Sequence, residues 1–203
     1  MTRSTRFLAA YGLPSAFAVL TLMSSTASAA IITFDGLTGA TADPLSVYSE
    51  SGFTVTPTLG AWKEAHSFGN PIPSIYVSDL SSGTPFGNLQ VTAGGGLFIF
   101  NSLDLQAFNS GVGYEIRGSR GGTVLFSVAN SQGASVAFQT LKGGSSLAID
   151  TLTFDISSGG PGSFNVDNIK VTAVPEPTAY LLVLSGLGLL GAIRKSKVLS
   201  QRS

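Results

Sequence analysis

Few residues of this chain could make or break bonds. Among 203 residues there is one histidine, His66, no cysteine, and 11 carboxylates. A Ser-His-Asp arrangement would place His66 against an activated serine, and no Gly-x-Ser-x-Gly turn is present to supply one. Glu64 with Glu115, or Asp150 with Asp155, would serve as a glycosidase pair only if both carboxyls faced one cleft, which spacing along the chain does not establish. With no thiolate and a single imidazole, Cys-based zinc sites and multi-histidine centres are excluded. The chemistry left is recognition, and the expectation is a protein that is not an enzyme. Trp62, Tyr76, Phe86 and Tyr114 lie in or beside loop-like stretches, and flat aromatic faces stack on sugar rings. Thr54/Thr56 and Thr151/Thr153 are isolated pairs, not the regular array that an ice-binding face needs.

Composition narrows the partners. Charged residues make up 11% of the chain, under half of the roughly 25% usual in soluble domains. The chain is too apolar for a disordered tail and too neutral to hold nucleic acid by its phosphates, which needs clustered Lys/Arg. Between Ala30 and Ala173, five basic and ten acidic residues leave a net charge of −5, which also disfavours anionic lipid.

Two apolar segments frame this region. Arg3 and Arg6 precede the run Phe7 to Met23, and small residues crowd Ser24 to Ala30. Ala27-Ser28-Ala29 fits the small-x-small pattern of signal peptidase, so residues 1–29 read as a signal peptide cut after Ala29. At the other end Ala179 to Ile193 is uncharged, and Arg194, Lys195 and Lys197 follow at once. Such a run is short for a span of about 17–25 residues, and the aliphatic stems of Arg194 and Lys195 extend it by snorkelling. The flanking charge places the tail 194–203 inside and the folded domain outside. Gly186, Gly188 and Gly191 match a dinucleotide fingerprint in letters but follow no strand, so they read as close-packing positions of a membrane helix.

Val174-Pro175-Glu176-Pro177 stands directly before that helix. The order Pro-Glu-Pro, Leu- and Gly-rich helix, basic cluster resembles the PEP-CTERM sorting signal of Gram-negative bacteria, a segment also labelled ice-binding protein C-terminal. Over residues 174–203 the resemblance implies that exosortase, a membrane protease-transpeptidase, recognises Pro175, Glu176 and Pro177 and removes the anchor 179–193. Arg194, Lys195 and Lys197 would then be the stop-transfer cluster. It also implies an inner-membrane anchor with a periplasmic ectodomain, then passage to the cell surface or matrix, often with an exopolysaccharide. The mixed cluster and the continuing Val198 to Ser203 depart from the short Arg-rich tails of that family. Independently, the prolines fix φ around Glu176 and keep the segment extended, as a protease cleft binds it.

Residues 30–173 suffice for one domain with a real core. Runs rich in Val, Ile, Phe and Thr recur at Ile31–Phe34, Phe53–Thr56, Ser74–Val77, Leu89–Thr92, Leu97–Phe100 and Leu103–Phe108. They continue at Val112–Arg117, Thr123–Val128, Val136–Leu141, Leu147–Ile156 and Phe164–Thr172, with Gly118–Gly122 as a hairpin loop. About ten strands without a helical period predict an all-β fold, an antiparallel β-sandwich of jelly-roll type. In the last strand Phe164 and Val166 share one parity and Ile169 and Val171 the other, which predicts an inserted residue at Asp167-Asn168.

Phe-x-Val-Asp-Asn-Ile-x-Val there, with Ile-x-Phe-Asp at Ile32 to Asp35, resembles the last and first strands of jelly-roll carbohydrate-binding-module-like and galactose-binding-like domains. The resemblance implies a structural Ca²⁺ between Asp35 and Asp167, although capping of turns by these two acids is the simpler reading. The expectation is an exosortase-sorted surface or exopolysaccharide-associated structural protein, with carbohydrate binding or, failing that, polysaccharide hydrolysis as the alternative. Signal peptidase, exosortase and exopolysaccharide are its expected partners.

Overall fold

The computed structural model describes residues 27–81, 83–175, 184 and 186–188. Its strands are β1 (Ser28–Ile32), β2 (Tyr48–Glu50), β3 (Phe53–Leu59), β4 (Lys63–Ala65), β5 (Ser74–Asp79) and β6 (Phe86–Thr92). They continue as β7 (Leu97–Phe108), β8 (Val112–Arg120), β9 (Thr123–Gln132), β10 (Gln139–Lys142), β11 (Thr151–Ser158) and β12 (Gly162–Val174). Alternation along each strand decides which face turns inward: Leu152, Phe154 and Ile156 of β11 are buried while Thr153 and Asp155 between them are not.

Two antiparallel sheets result. One runs β10-β7-β12-β5-β4 with β1 beside β12, and the other runs β2-β3-β6-β11-β8-β9. From β5 to β12 the chain changes sheet at most connections, so sheet neighbours are distant in sequence. The inner faces meet in one core, where Phe53 packs edge-on to Phe98 at 5.4 Å and Phe100 to Phe154 at 5.5 Å. Each such ring, removed from water, contributes about 1.5–3 kcal/mol.

The structure corrects several boundaries. Leu97–Phe100 and Leu103–Phe108 are one strand, because Ser102 is paired with Lys142 on one side and Lys170 on the other. The polar pair Asn101-Ser102 interrupts hydrophobicity without interrupting the ladder. β8 continues to Arg120, and the hairpin turn is Gly121-Gly122 alone, with φ of 56° and 78°, values that favour glycine. The run at Leu147 becomes a strand only from Thr151, and the short edge strands β2 and β4 carry no apolar period that would mark them.

The inserted residue is present. The register of β12 on β7 shifts between Asp167 and Lys170, with Asn168 at φ 47°. That shift lets Phe164, Val166, Ile169 and Val171 all reach the core with no exposure.

Residues 1–26 of the expected leader, Glu176, Pro177, most of the segment 179–193, Arg194, Lys195 and Lys197 lie outside the described residues. Leu184 and residues 186–188 are helical, and among the described residues no helix is long and apolar enough to cross a membrane.

Candidate functional site

The outward face of the first sheet carries a groove of about 390 Å³, within the range of small-ligand sites. β12 supplies Ser163 and Asn165, β7 supplies Gln106 and Phe108, and β5 supplies Tyr76 and Ser78. Asn165 is opposite both Tyr76 and Gln106 in the ladders, so these three residues form one row across the sheet. Phe68, from the loop after β4, stands edge-on to Tyr76 at 5.1 Å and walls one side. Leu80, Phe108 and Val136 line the groove and are 58%, 39% and 79% exposed. Among the described residues no Asp, Glu, Lys or Arg lines it.

Its polar groups are neutral amides and hydroxyls. Asn165 Nδ2 donates to Gln106 Oε1, and Gln106 Nε2 donates to the Val136 carbonyl. Asn165 is buried, and its Oδ1 has no hydrogen-bond partner among the described residues. An unmet buried acceptor costs on the order of 1–3 kcal/mol. Such a group beside a groove is a place where a small rearrangement could be offset by a ligand hydroxyl.

The next row of the same face is acidic and closed. Asp167 lies directly opposite Asp104, and both are buried. Asp167 accepts the backbone N–H groups of Asn70 and Asn168, each at 2.7 Å, one on each oxygen. Asp104 accepts from Asn70 Nδ2 at 3.3 Å, Asn168 Nδ2 at 3.0 Å and Thr140 Oγ1 at 2.6 Å. Burial pushes the Asp167 carboxyl up to about 7; the two N–H groups act against this, and the charges of Asp104 and Asp35 add to it.

The donor set around Asp167 does not fit the calcium that the resemblance implies. Asp35 is exposed, and both Asp167 oxygens are already engaged by N–H donors that would face a cation. Among the described residues no group of three or more metal-ligating side chains converges. The charge of Asp35 adds only the smallest of the upward pushes on Asp167. Asp104, the carboxylate across the ladder, shows no sequence signal, because only the β7–β12 register brings it opposite Asp167.

The other candidate residues are dispersed. Trp62 is buried in the core rather than displayed, and it stands edge-on to Phe164 at 5.6 Å. Phe86 and Tyr114 line a second groove of about 330 Å³ on the opposite sheet, with Glu115 and Asp155. Those two carboxylates face each other in the β8–β11 ladder and share Arg117, whose guanidinium clamps both. Glu64 is on β4 in one sheet and Glu115 on β8 in the other, so they do not pair. Asp150 caps the β8–β9 turn by accepting from the Gly121 N–H at 2.6 Å. His66 Nε2 lies 2.9 Å from Glu64, which holds it to its own strand end.

A family model described as the PEP-CTERM protein-sorting motif matches residues 173–197. The match contains Pro175, Glu176 and Pro177 as well as Arg194, Lys195 and Lys197. No curated protein matches the chain. Solved structures similar to it include a family 29 carbohydrate binding module from Piromyces equi, 12% identical, covering 73% of this chain and 92% of that one at a TM-score of 0.42. Another is the family 11 carbohydrate-binding module of a cellulosomal cellulase of Clostridium thermocellum, 17% identical, with coverage of 75% and 98% and a TM-score of 0.41. A third is the enzymatically active domain of bacteriophage CBA120 tailspike protein 4, 15% identical at a TM-score of 0.42. That match covers 61% of this chain, which spans only 20% of the tailspike chain.

Proposed function

From a chain whose carboxyl end is a PEP-CTERM sorting motif, a recognition signal for exosortase that implies export, we propose a surface protein whose domain holds a neutral polysaccharide without altering it. The strands β5 to β12 are read as a jelly roll, and its outward groove on β5, β7 and β12 as the binding face. One observation carries this reading: an aromatic- and aliphatic-walled groove whose polar groups are amides and hydroxyls, with no charged side chain among the described residues that line it. Sugar rings present apolar faces and hydroxyl edges, which such a groove matches, whereas uronate or sulfated polymers would need a cation there. Removal of the sorting helix by exosortase and association with the exopolysaccharide of the matrix belong to the same proposal.

The test is retention of the processed protein on the exopolysaccharide of its own host and on neutral glucans and mannans. Phe108→Ala removes an exposed ring at the groove rim and is expected to weaken retention about five- to tenfold. Stability should stay within about 0.5 kcal/mol, because the ring lies outside the core. EDTA is expected to have no effect on retention. Absence of saturable binding to any of these polymers would leave a structural surface protein without a ligand groove.

The sorting half of the proposal has its own readout. Replacing Pro175, Glu176 and Pro177 together by alanine is expected to leave the full-length form in the membrane fraction, with none released to the surface. Normal release of that variant would remove these residues from recognition.

A further inference from the structure

The two expected processing sites occupy one corner of the sandwich, and they differ in access. In the β1–β12 ladder Ser28 is opposite Ala173, Ala29 opposite Thr172 and Ala30 opposite Val171. The bond between Ala29 and Ala30 therefore lies within a formed ladder. Ala30, immediately after it, is partly buried against the core. Proteases bind their substrates extended and make main-chain hydrogen bonds to them, so a strand already paired is a poor substrate until it opens. The sorting segment is placed differently. Val174 is the last residue of β12 and is still paired with Leu97, and Pro175 follows at once. Proline brings no N–H to a ladder, so the recognition segment begins where pairing ends.

We propose that the fold imposes an order on processing: the leader is cut before β12 closes onto β1, and the sorting signal is cut from the folded domain. β12 is the last strand of the domain, so an emerging chain exposes the Ala29–Ala30 bond until residues 169–173 arrive to cover it. A chain that folds with its leader attached keeps that leader, anchored beside the sorting segment at the same corner. The neutral groove lies toward the other end of β12, where Phe108 is paired with Ser163. This proposal rests on the reading of residues 1–29 as a cleaved signal peptide.

The test uses the full-length precursor, folded in detergent, and purified signal peptidase. A second form carries a short Gly/Ser spacer between Ala29 and Ala30, which moves the same cleavage motif out of the ladder. Each is also offered to the enzyme freshly diluted from denaturant. The folded native precursor is expected to be cut at least about tenfold more slowly than the folded spacer form, reflecting the cost of opening the terminal rungs. The two should be cut equally when unfolded. Equal rates in the folded state would overturn the proposal. Resistance of both forms when unfolded would instead overturn the cleavage-site reading.

Discussion

Lowering the pH from about 8 to about 5 is expected to stabilise the domain by about 2–3 kcal/mol, a rise in Tm of about 5–10 °C. The cause is Asp167, fully buried opposite Asp104, whose carboxyl is pushed from 3.8 to about 7 chiefly by loss of solvent. The folded state holds that proton more tightly than the unfolded chain. Its contribution is therefore complete below 3.8 and lost as pH rises through about 7, opposite to the usual behaviour of a salt-bridged carboxylate. Calorimetry of the processed protein across this range, with added calcium or with EDTA, measures it. The slope should be the same in both, since N–H donors rather than a cation occupy the Asp167 oxygens. A flat profile would contradict the argument. A Tm raised by calcium at neutral pH would show that a cation takes the place of the proton. Asp104→Asn removes the facing charge and should lower the slope only in part, because loss of solvent is the larger cause at Asp167; it also gives up an acceptor for Thr140, Asn70 or Asn168.

Trp62→Ala is expected to destabilise the domain by about 3–5 kcal/mol while leaving polysaccharide retention per folded molecule unchanged. The indole is 2% exposed, donates from Nε1 to the Leu59 carbonyl at 3.1 Å, and lies edge-on to Phe164. It also lies against Gly87, where an added Cβ would come within 2.7 Å of the ring, so on that side there is no side chain to fill the space that alanine leaves. Denaturant unfolding gives the stability, and retention assayed at low temperature on the folded fraction gives the function. An unchanged midpoint with lost retention would make Trp62 a sugar-stacking residue. Loss of stability alone separates this aromatic from Phe108, whose exposed ring is expected to show the reverse pattern.

The features legible in the sequence were those that local order decides. The Pro-Glu-Pro segment and the basic cluster after it are contiguous strings, so the sorting motif can be named without a fold. Strand periodicity is equally local, and so is the parity break at Asp167-Asn168, because a strand with one buried face must insert a residue wherever its apolar set changes parity. Boundaries fared worse wherever ladder hydrogen bonds carried a strand through polar residues, as at Asn101-Ser102 in β7.

Which residues share a site was decided only in the tertiary structure. Tyr76, Gln106 and Asn165 come from three strands that are not consecutive in the chain, and they form a row because β12 pairs with β5 on one side and β7 on the other. The same pairing sets Asp104 against Asp167, while Trp62, a plausible surface aromatic by its neighbours in sequence, turns into the core. The physical reason is that alternation tells only whether a side chain faces in or out. Its partners across the sheet are chosen by backbone hydrogen bonds between segments as distant in the chain as Ser28 and Ala173, and those bonds are indifferent to side-chain identity.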